Sequence, residues 1–139
     1  MKLSIFRFNP ERDTKPYMQD YDVEPAPTDT MLLDLILRIR MQDDSLAIRK
    51  SCREGVCGSD AININGRNRL ACVTPIHTLK EPVVLRPLPS FPVIRDLVVD
   101  MTEFFKQYRP LQPYGLAAGP VPEHAPLTAP PPRETPHGL

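Results

Sequence analysis

The residues of this chain best suited to chemistry are its three cysteines, which lie close together. Four residues separate Cys52 from Cys57, two more lead to Asp60, and eleven lie between Asp60 and Cys72. The sequence contains no other cysteine. The pattern C-x4-C-x2-D-x11-C is the spacing of a plant-type [2Fe–2S] ligand loop with a carboxylate at the third ligand position. It predicts an iron–sulfur cluster and, through it, the transfer of electrons.

Two glycines in the same loop fit this chemistry. A loop that aims several sulfurs at one cluster must turn sharply, and Gly55 and Gly58 can take the positive φ that such turns need. Backbone N–H groups can then approach and donate hydrogen bonds to the cluster sulfurs, which raises the reduction potential. The ligands expected at the two irons are Cys52 with Cys57, and Asp60 with Cys72.

Asp60 is open to a second interpretation, because Ser59-Asp60 is also a common start of a turn. Ligation is favoured by its position in the pattern and by the lack of a spare cysteine in the sequence. Other uses of the cysteines are less well supported. A structural zinc site would show paired C-x2-C motifs, and a redox C-x-x-C is absent. A nucleophilic cysteine would need a histidine, but no motif surrounds His77, His124 or His137.

Three basic residues, Arg49, Lys50 and Arg53, crowd the N-terminal flank of the loop. One interpretation is a solvated basic rim. The other is that they screen the negative charge of the cluster or help to dock an acidic partner. The sequence leaves both open.

Length and composition favour one small domain in a reducing compartment. A chain of 139 residues, 41% of them hydrophobic, can bury one modest core. A net charge of zero gives no argument for a nucleic-acid partner. Thiols that bind iron must stay reduced, so we expect a cytosolic or matrix-like compartment. Neither a signal peptide nor a membrane-length apolar stretch is recognisable, so any membrane association is expected to come through partner subunits.

The clearest predicted element is a helix. Leu32, Leu35, Ile36 and Ile39 recur at i, i+3, i+4 and i+7, which gives one apolar face. The polar residues just before this face are candidate N-caps, and two charged residues one turn apart on the other face are expected to pair. The candidate caps are Thr28, Asp29 and Thr30, and the expected pair is Asp34 with Arg38.

The remaining segments predict an α+β domain of β-grasp type. Asn65-Gly66 is a strong signal for a tight hairpin turn. A second helix is expected from Asp100, with Glu103 in a capping box. The predicted strands are residues 2–8, 17–23, 46–49, 61–64, 70–73 and 83–85. The apolar face of the second helix would be Met101, Phe104, Phe105 and Tyr108, with Pro110 after its last turn.

The C-terminal part of the chain has a different composition. Nine of the 18 prolines lie from Pro110 onward. Sequence that is rich in proline and poor in large apolar residues cannot pack a core. We therefore predict a domain over residues 1–115 and a disordered tail over residues 116–139.

The sequence resembles the iron–sulfur subunits of succinate dehydrogenase, respiratory complex II, over about residues 1–114. The resemblance is carried by long runs rather than by the cysteines alone. These runs are SCREGVCGSD at 51–60, NING at 63–66, LAC at 70–72, RPLP at 86–89 and FPVIRDLVVD at 91–100.

This resemblance implies a fold and a role. In that family the N-terminal domain is a plant-type ferredoxin fold that holds the [2Fe–2S] cluster. It receives electrons from succinate through the FAD of the flavoprotein subunit and relays them toward quinone, in the tricarboxylic acid cycle and respiration. Some bacterial members carry aspartate at the third ligand position, which supports Asp60. The implied partners are the flavoprotein and the membrane-anchor subunits, and the implied place is the cytoplasmic face of the bacterial inner membrane, peripheral through partners.

The chain departs from the family in one respect. The family continues into a helical domain with [4Fe–4S] and [3Fe–4S] clusters, whereas this sequence has no cysteine after Cys72. Those clusters and the quinone-site residues are not carried over, and no independent substrate turnover is expected. Three alternatives stay open: a fumarate reductase iron–sulfur subunit, a stand-alone ferredoxin-like carrier, and an inactive truncated fragment. The Arg-Glu-Gly-Val run between the first two cysteines is more similar to the succinate enzyme.

Overall fold

A five-stranded mixed sheet forms the framework of this protein, whose computed structural model describes residues 1–111. β1 and β5 pair in parallel, and the other neighbours are antiparallel. With one helix packed on the sheet, this arrangement confirms the predicted α+β fold of β-grasp type. The strands are β1 (Lys2–Arg7), β2 (Tyr17–Asp22), β3 (Ala61–Ile64), β4 (Arg67–Leu70) and β5 (Val83–Arg86), in the order β2-β1-β5-β3-β4.

Helix α1 (Leu32–Gln42) buries the face that its apolar spacing predicted. An amphipathic helix gains stability chiefly by removing such a stripe from water. The core that it shares with the sheet includes Leu3, Ile5, Ile62 and Leu85. The helix residues that are almost fully buried include Leu32, Leu35, Ile36 and Ile39.

The start of α1 differs from the prediction. Its N-cap is Met31, not one of the candidates at 28–30. Asp34, in the first turn, accepts hydrogen bonds from the N–H groups of Met31 and of the residue before it, at 3.0 and 3.1 Å. This use of its carboxylate makes the predicted pair with Arg38 wrong. The guanidinium of Arg38 instead binds Asp29, at 2.7 and 3.0 Å.

The predicted strand at residues 46–49 is wrong. The N–H of Ala47 donates to Asp96 Oδ2 at 2.8 Å, and its carbonyl accepts from the N–H of Leu97 at 3.3 Å. The N–H and the carbonyl of Ala47 are therefore bonded to the turn at Asp96 and Leu97, and neither is available to a neighbouring strand. The segment runs as an irregular connection into the cysteine loop.

The predicted strand at residues 70–73 is also misplaced. The turn at Asn65-Gly66 forms as expected, with φ values of 49° and 86°, but the returning strand β4 ends at Leu70. A short 3₁₀ helix, Ala71–Val73, follows. The N–H of Cys72 donates to a side chain, Asp60 Oδ2, at 2.5 Å, and so is not available to a sheet neighbour.

A two-stranded hairpin that the sequence did not suggest follows the sheet. It consists of β6 (Val93–Arg95) and β7 (Val98–Val99). Its turn contains Asp96, which is 1% exposed and has a φ of 48°. Asp96 joins this hairpin to β1, because it accepts hydrogen bonds from Arg7 Nε at 3.1 Å and from the N–H of Phe8 at 2.9 Å.

Arg7 is the centre of this buried polar network. Only 5% of it is exposed. Besides Asp96 it donates to Asp43 Oδ2 at 2.8 Å and Ser45 Oγ at 2.6 Å. The hydroxyl of Tyr21 donates to Asp43 at 2.8 Å, and burial together with that bond raises the pKa of Tyr21 to about 12. Its hydrogen bonds connect β1 and β2 to the segment before the cysteine loop.

Contacts divide the chain into a first unit, Met1–Glu103, and a second that begins at Phe104. Helix α2 (Thr102–Leu111) starts two residues later than predicted and includes Pro110. Within the second unit Phe104 stacks on Tyr108, with ring centroids 6.4 Å apart.

The predicted domain end at residue 115 and the predicted tail at 116–139 lie outside the described residues. Across residues 1–111, the structure has no helix long and apolar enough for a membrane span.

Candidate metal centre

The loop of residues 51–60 wraps its backbone around one sulfur. Cys52 Sγ accepts hydrogen bonds from the N–H groups of Glu54, Val56 and Cys57, at 3.5, 3.4 and 3.3 Å. Several N–H dipoles that converge on one atom make a site for an anion. The loop therefore presents three N–H donors to the sulfur through which Cys52 would bind a metal.

The sharp turns of this loop come from three residues with positive φ. The values are 64° for Arg53, 79° for Gly55 and 70° for Gly58. Glycine takes this conformation without the steric cost that a side chain brings. At Gly55 space is limiting as well, because a Cβ there would lie 3.0 Å from Cγ1 of Val73. Around Gly58 a Cβ would meet no atom within 4 Å.

Cys57 lies on the exposed side of the loop. The hydroxyl of Ser59 lies 3.2 Å from Cys57 Sγ, and the N–H of Ser59 donates to the same sulfur at 3.5 Å. These contacts lower the pKa of the Cys57 thiol to about 6. The lowered pKa favours the thiolate form of Cys57, which is the form that binds a metal.

Asp60 and Cys72 lie together on the buried side. They are 2% and 5% exposed, respectively. Burial and the neighbouring Asp60 carboxylate raise the pKa of the Cys72 thiol, so metal binding must displace its proton. Asp60 Oδ2 accepts the N–H of Cys72, whereas Oδ1 is buried without a hydrogen-bond partner in the described residues.

The buried Oδ1 of Asp60, which has no hydrogen-bond partner among the described residues, indicates whether this loop fits a cluster. Buried polar atoms are almost always satisfied, and an exception calls for an explanation such as an ion. Iron bound at Asp60 Oδ1 would supply the missing partner, beside the sulfur of Cys72. The residues present therefore fit a [2Fe–2S] cluster.

Among residues 1–111, no three His, Cys, Asp or Glu side chains lie close enough together to hold one metal ion. The four candidate ligands of the loop match in number the protein ligands that two irons share in a [2Fe–2S] cluster.

The structure also shows which neighbours the sequence did not reveal. Ser59 acts on Cys57 through a hydroxyl that no motif marks, and Val73 limits the space at Gly55. His77 is exposed on a 3₁₀ helix, Ile76–Thr78, away from any cysteine contact that the structure records. Of the basic flank, Arg49 donates to the carbonyl of Val99 at 2.9 Å.

Gly55→Ala is expected to weaken cluster retention more than Gly58→Ala. Each change places a side chain at positive φ, which costs about 1–2 kcal/mol. Only at Gly55 does the new Cβ also crowd Val73 Cγ1. The measurement is the iron content of each purified variant after gel filtration.

The double variant Gly55→Ala/Val73→Ala serves as the matched control. It removes the crowded atom and leaves the φ strain, so it should regain part of the lost iron. Equal losses at Gly55 and Gly58, with no recovery in the double variant, would contradict the close approach of Gly55 to Val73.

Comparisons with known proteins agree with this geometry. A family described as "2Fe-2S iron-sulfur cluster binding domain" matches residues 2–106. The succinate dehydrogenase iron-sulfur subunit of Coxiella burnetii is 49% identical over 140 residues, which cover 100% of this chain and 60% of that protein. The mitochondrial succinate dehydrogenase iron-sulfur subunit 1 of Oryza sativa is 48% identical over 113 residues, or 80% of this chain and 40% of that protein.

A solved structure gives the same result for the fold. A chain of the Mycobacterium smegmatis Sdh1 complex in the apo form superposes with a TM-score of 0.72 at 35% identity. The match covers 88% of this chain and 53% of that one. This chain therefore spans 60% or less of the length of these relatives.

The family match takes in the whole sheet, α1 and all of the loop from Cys52 to Cys72. The cofactor that defines this family also accounts for the converging N–H groups, the Ser59 contacts and the unpartnered oxygen of Asp60. This chain therefore belongs to the family of 2Fe-2S iron–sulfur cluster binding domains.

Proposed function

We propose that this chain holds a [2Fe–2S] cluster and serves as the electron-transfer part of a succinate dehydrogenase iron–sulfur subunit. Its ligands would be Cys52, Cys57, Asp60 and Cys72, with Gly55 and Gly58 shaping the loop. The observation that carries the ligand set is the buried, unpartnered Oδ1 of Asp60 beside Cys72. It stands where the loop pattern requires a ligand.

The two sides of the site differ in their exposure to solvent. Asp60 and Cys72 lie in the protein interior and keep water from half of the site. Cys57 and Val56 lie at the surface, with Val56 80% exposed, so a partner can approach this side closely. When bound, the cluster accepts and releases one electron at a time. The loop itself would not bind succinate.

The proposed partners follow from the relatives named above. Electrons would arrive from succinate through the FAD of a flavoprotein subunit and continue toward quinone. The chain would act at the cytoplasmic face of the bacterial inner membrane, held there by the flavoprotein and membrane-anchor subunits. It would have no substrate turnover of its own, and its domain would extend over residues 1–115.

Reduction by succinate tests this role. We expect the cluster-loaded chain to be bleached in its visible spectrum by succinate only when the flavoprotein subunit of the same organism is present. Omission of the flavoprotein and addition of malonate, a competitive succinate analogue, are the controls. A cluster that a ferredoxin reductase reduces, and that succinate with the flavoprotein does not, would show a stand-alone carrier instead.

A further inference from the structure

Arg53 combines a long charged side chain with a backbone conformation that favours glycine. Its φ is 64°, and it directly follows Cys52. This conformation helps the N–H of Glu54 to turn back toward Cys52 Sγ, at 3.5 Å. A glycine would allow the same turn at lower conformational cost. The backbone alone therefore gives no reason for an arginine here.

The side chain of Arg53 is tethered to the first turn of α1. Its Nη2 lies 3.6 Å from Asp34 Oδ1, although the side chain is 53% exposed. The other oxygen of Asp34 accepts the N–H groups of Thr30 and Met31, at 3.1 and 3.0 Å. Because Asp34 is already fixed, pairing with it costs less side-chain entropy in total than an ordinary surface ion pair does.

Arg53 and Asp34 also share a cavity with one of the proposed ligands. Arg53, Asp34 and Cys72 line one cavity of about 220 Å³. The same end of α1 also holds the chain just after Cys72, because the N–H of Leu32 donates to the carbonyl of Thr74 at 2.9 Å. The loop after Cys52 and the chain after Cys72 thus both contact the first turn of α1.

We propose that Arg53, paired with Asp34 at a cavity that Cys72 also lines, raises the reduction potential of the cluster through its positive charge. This inference rests on the proposed function. Reduction brings in one electron from an external reductant, breaks no bond to protein and adds one negative charge to a site of anionic ligands. A fixed neighbouring cation stabilises that added charge and raises the potential.

The test is a potentiometric titration of the cluster-loaded 139-residue chain with dithionite, followed by EPR of the reduced cluster. Arg53→Gln and Arg53→Gly should both lower the potential by about 59 mV, a tenfold change in the one-electron equilibrium constant. Arg53→Lys keeps the charge and should retain most of the potential. Lys50→Gln removes an exposed cation on the same flank, for which the described residues offer no ion pair, and should shift it less.

Arg53→Gln removes the charge and keeps the backbone strain, whereas Arg53→Gly removes both, so the comparison of the two variants separates charge from strain. In the Asp34→Asn background, the shift caused by Arg53→Gln measures the net effect of Asp34, which both positions the guanidinium and offsets part of its charge. Equal potentials for the wild type and both uncharged variants would overturn the proposal. So would loss of the cluster in both, since Arg53 would then be needed for assembly.

The wild-type chain shows whether the proposed function or only the role of Arg53 has failed. If it assembles no cluster, the proposed function and this inference fail together. If its cluster assembles and is reduced normally, but with a potential indifferent to Arg53, only the inference fails.

Discussion

Replacement of Asp60 by asparagine or alanine is expected to lower the affinity of the chain for its iron at least about tenfold, and so to reduce its iron content, since even residues that only support metal ligands contribute 10–100-fold to affinity. Asp60→Asn keeps the shape and an oxygen that can accept the N–H of Cys72. It lacks the anionic oxygen that iron would bind. Asp60→Ala removes both functions. Iron and acid-labile sulfide analysis after anaerobic reconstitution measures the loss.

Asp60→Cys is the matched control for this prediction. A thiolate restores the usual four-cysteine ligand set, so the cluster should be retained. Exchange of a hard oxygen donor for a soft sulfur should shift the visible spectrum and the potential. Unchanged iron content and spectra in all three variants would show that Asp60 is only a turn residue.

Arg7→Met is expected to lower the free energy of unfolding by about 3–5 kcal/mol, the usual cost of removing one partner of a buried ion pair. Methionine fills much of the same space but leaves Asp96, with a side chain 2% exposed, without its charged partner. It also strips Asp43 and Ser45 of hydrogen-bond donors. Urea denaturation of the cluster-free chain, monitored by circular dichroism, gives the value.

The control for Arg7 is Arg12→Met, on an exposed turn. A substitution at such a position should change stability by no more than about 0.5 kcal/mol. The double variant Arg7→Met/Asp96→Asn should recover part of the loss, because asparagine leaves no buried charge unpaired. A loss below 1 kcal/mol in Arg7→Met would contradict the central place of Arg7 in the network.

Local patterns predicted the parts of the fold that depend on near neighbours. The apolar spacing of α1 and the turn at Asn65-Gly66 involve residues within one or two turns of chain, so sequence alone suffices. The two misplaced strands, at residues 46–49 and 70–73, arose where a distant side chain competes for a backbone group. Asp96 takes the N–H of Ala47 across 49 residues. No period in the sequence encodes that bond.

The same distinction applies to the site. The spacing from Cys52 to Cys72 gave the candidate ligands, because these clusters depend on fixed intervals between thiolates. The contact of the Ser59 hydroxyl with Cys57 depends on the turn of the loop itself, and the ion pair of Arg53 with Asp34 depends on how the loop lies against α1. No spacing or motif in the sequence marks either contact.

The most direct test of the central claim is ⁵⁷Fe Mössbauer spectroscopy of the reconstituted, oxidised chain, combined with iron analysis. We expect about two irons per chain in two distinct doublets, because one iron would have two cysteine ligands and the other would have Cys72 and Asp60. In Asp60→Cys the two doublets should move closer together. Zinc at full occupancy without iron, or two irons that Asp60→Cys leaves unchanged, would contradict it.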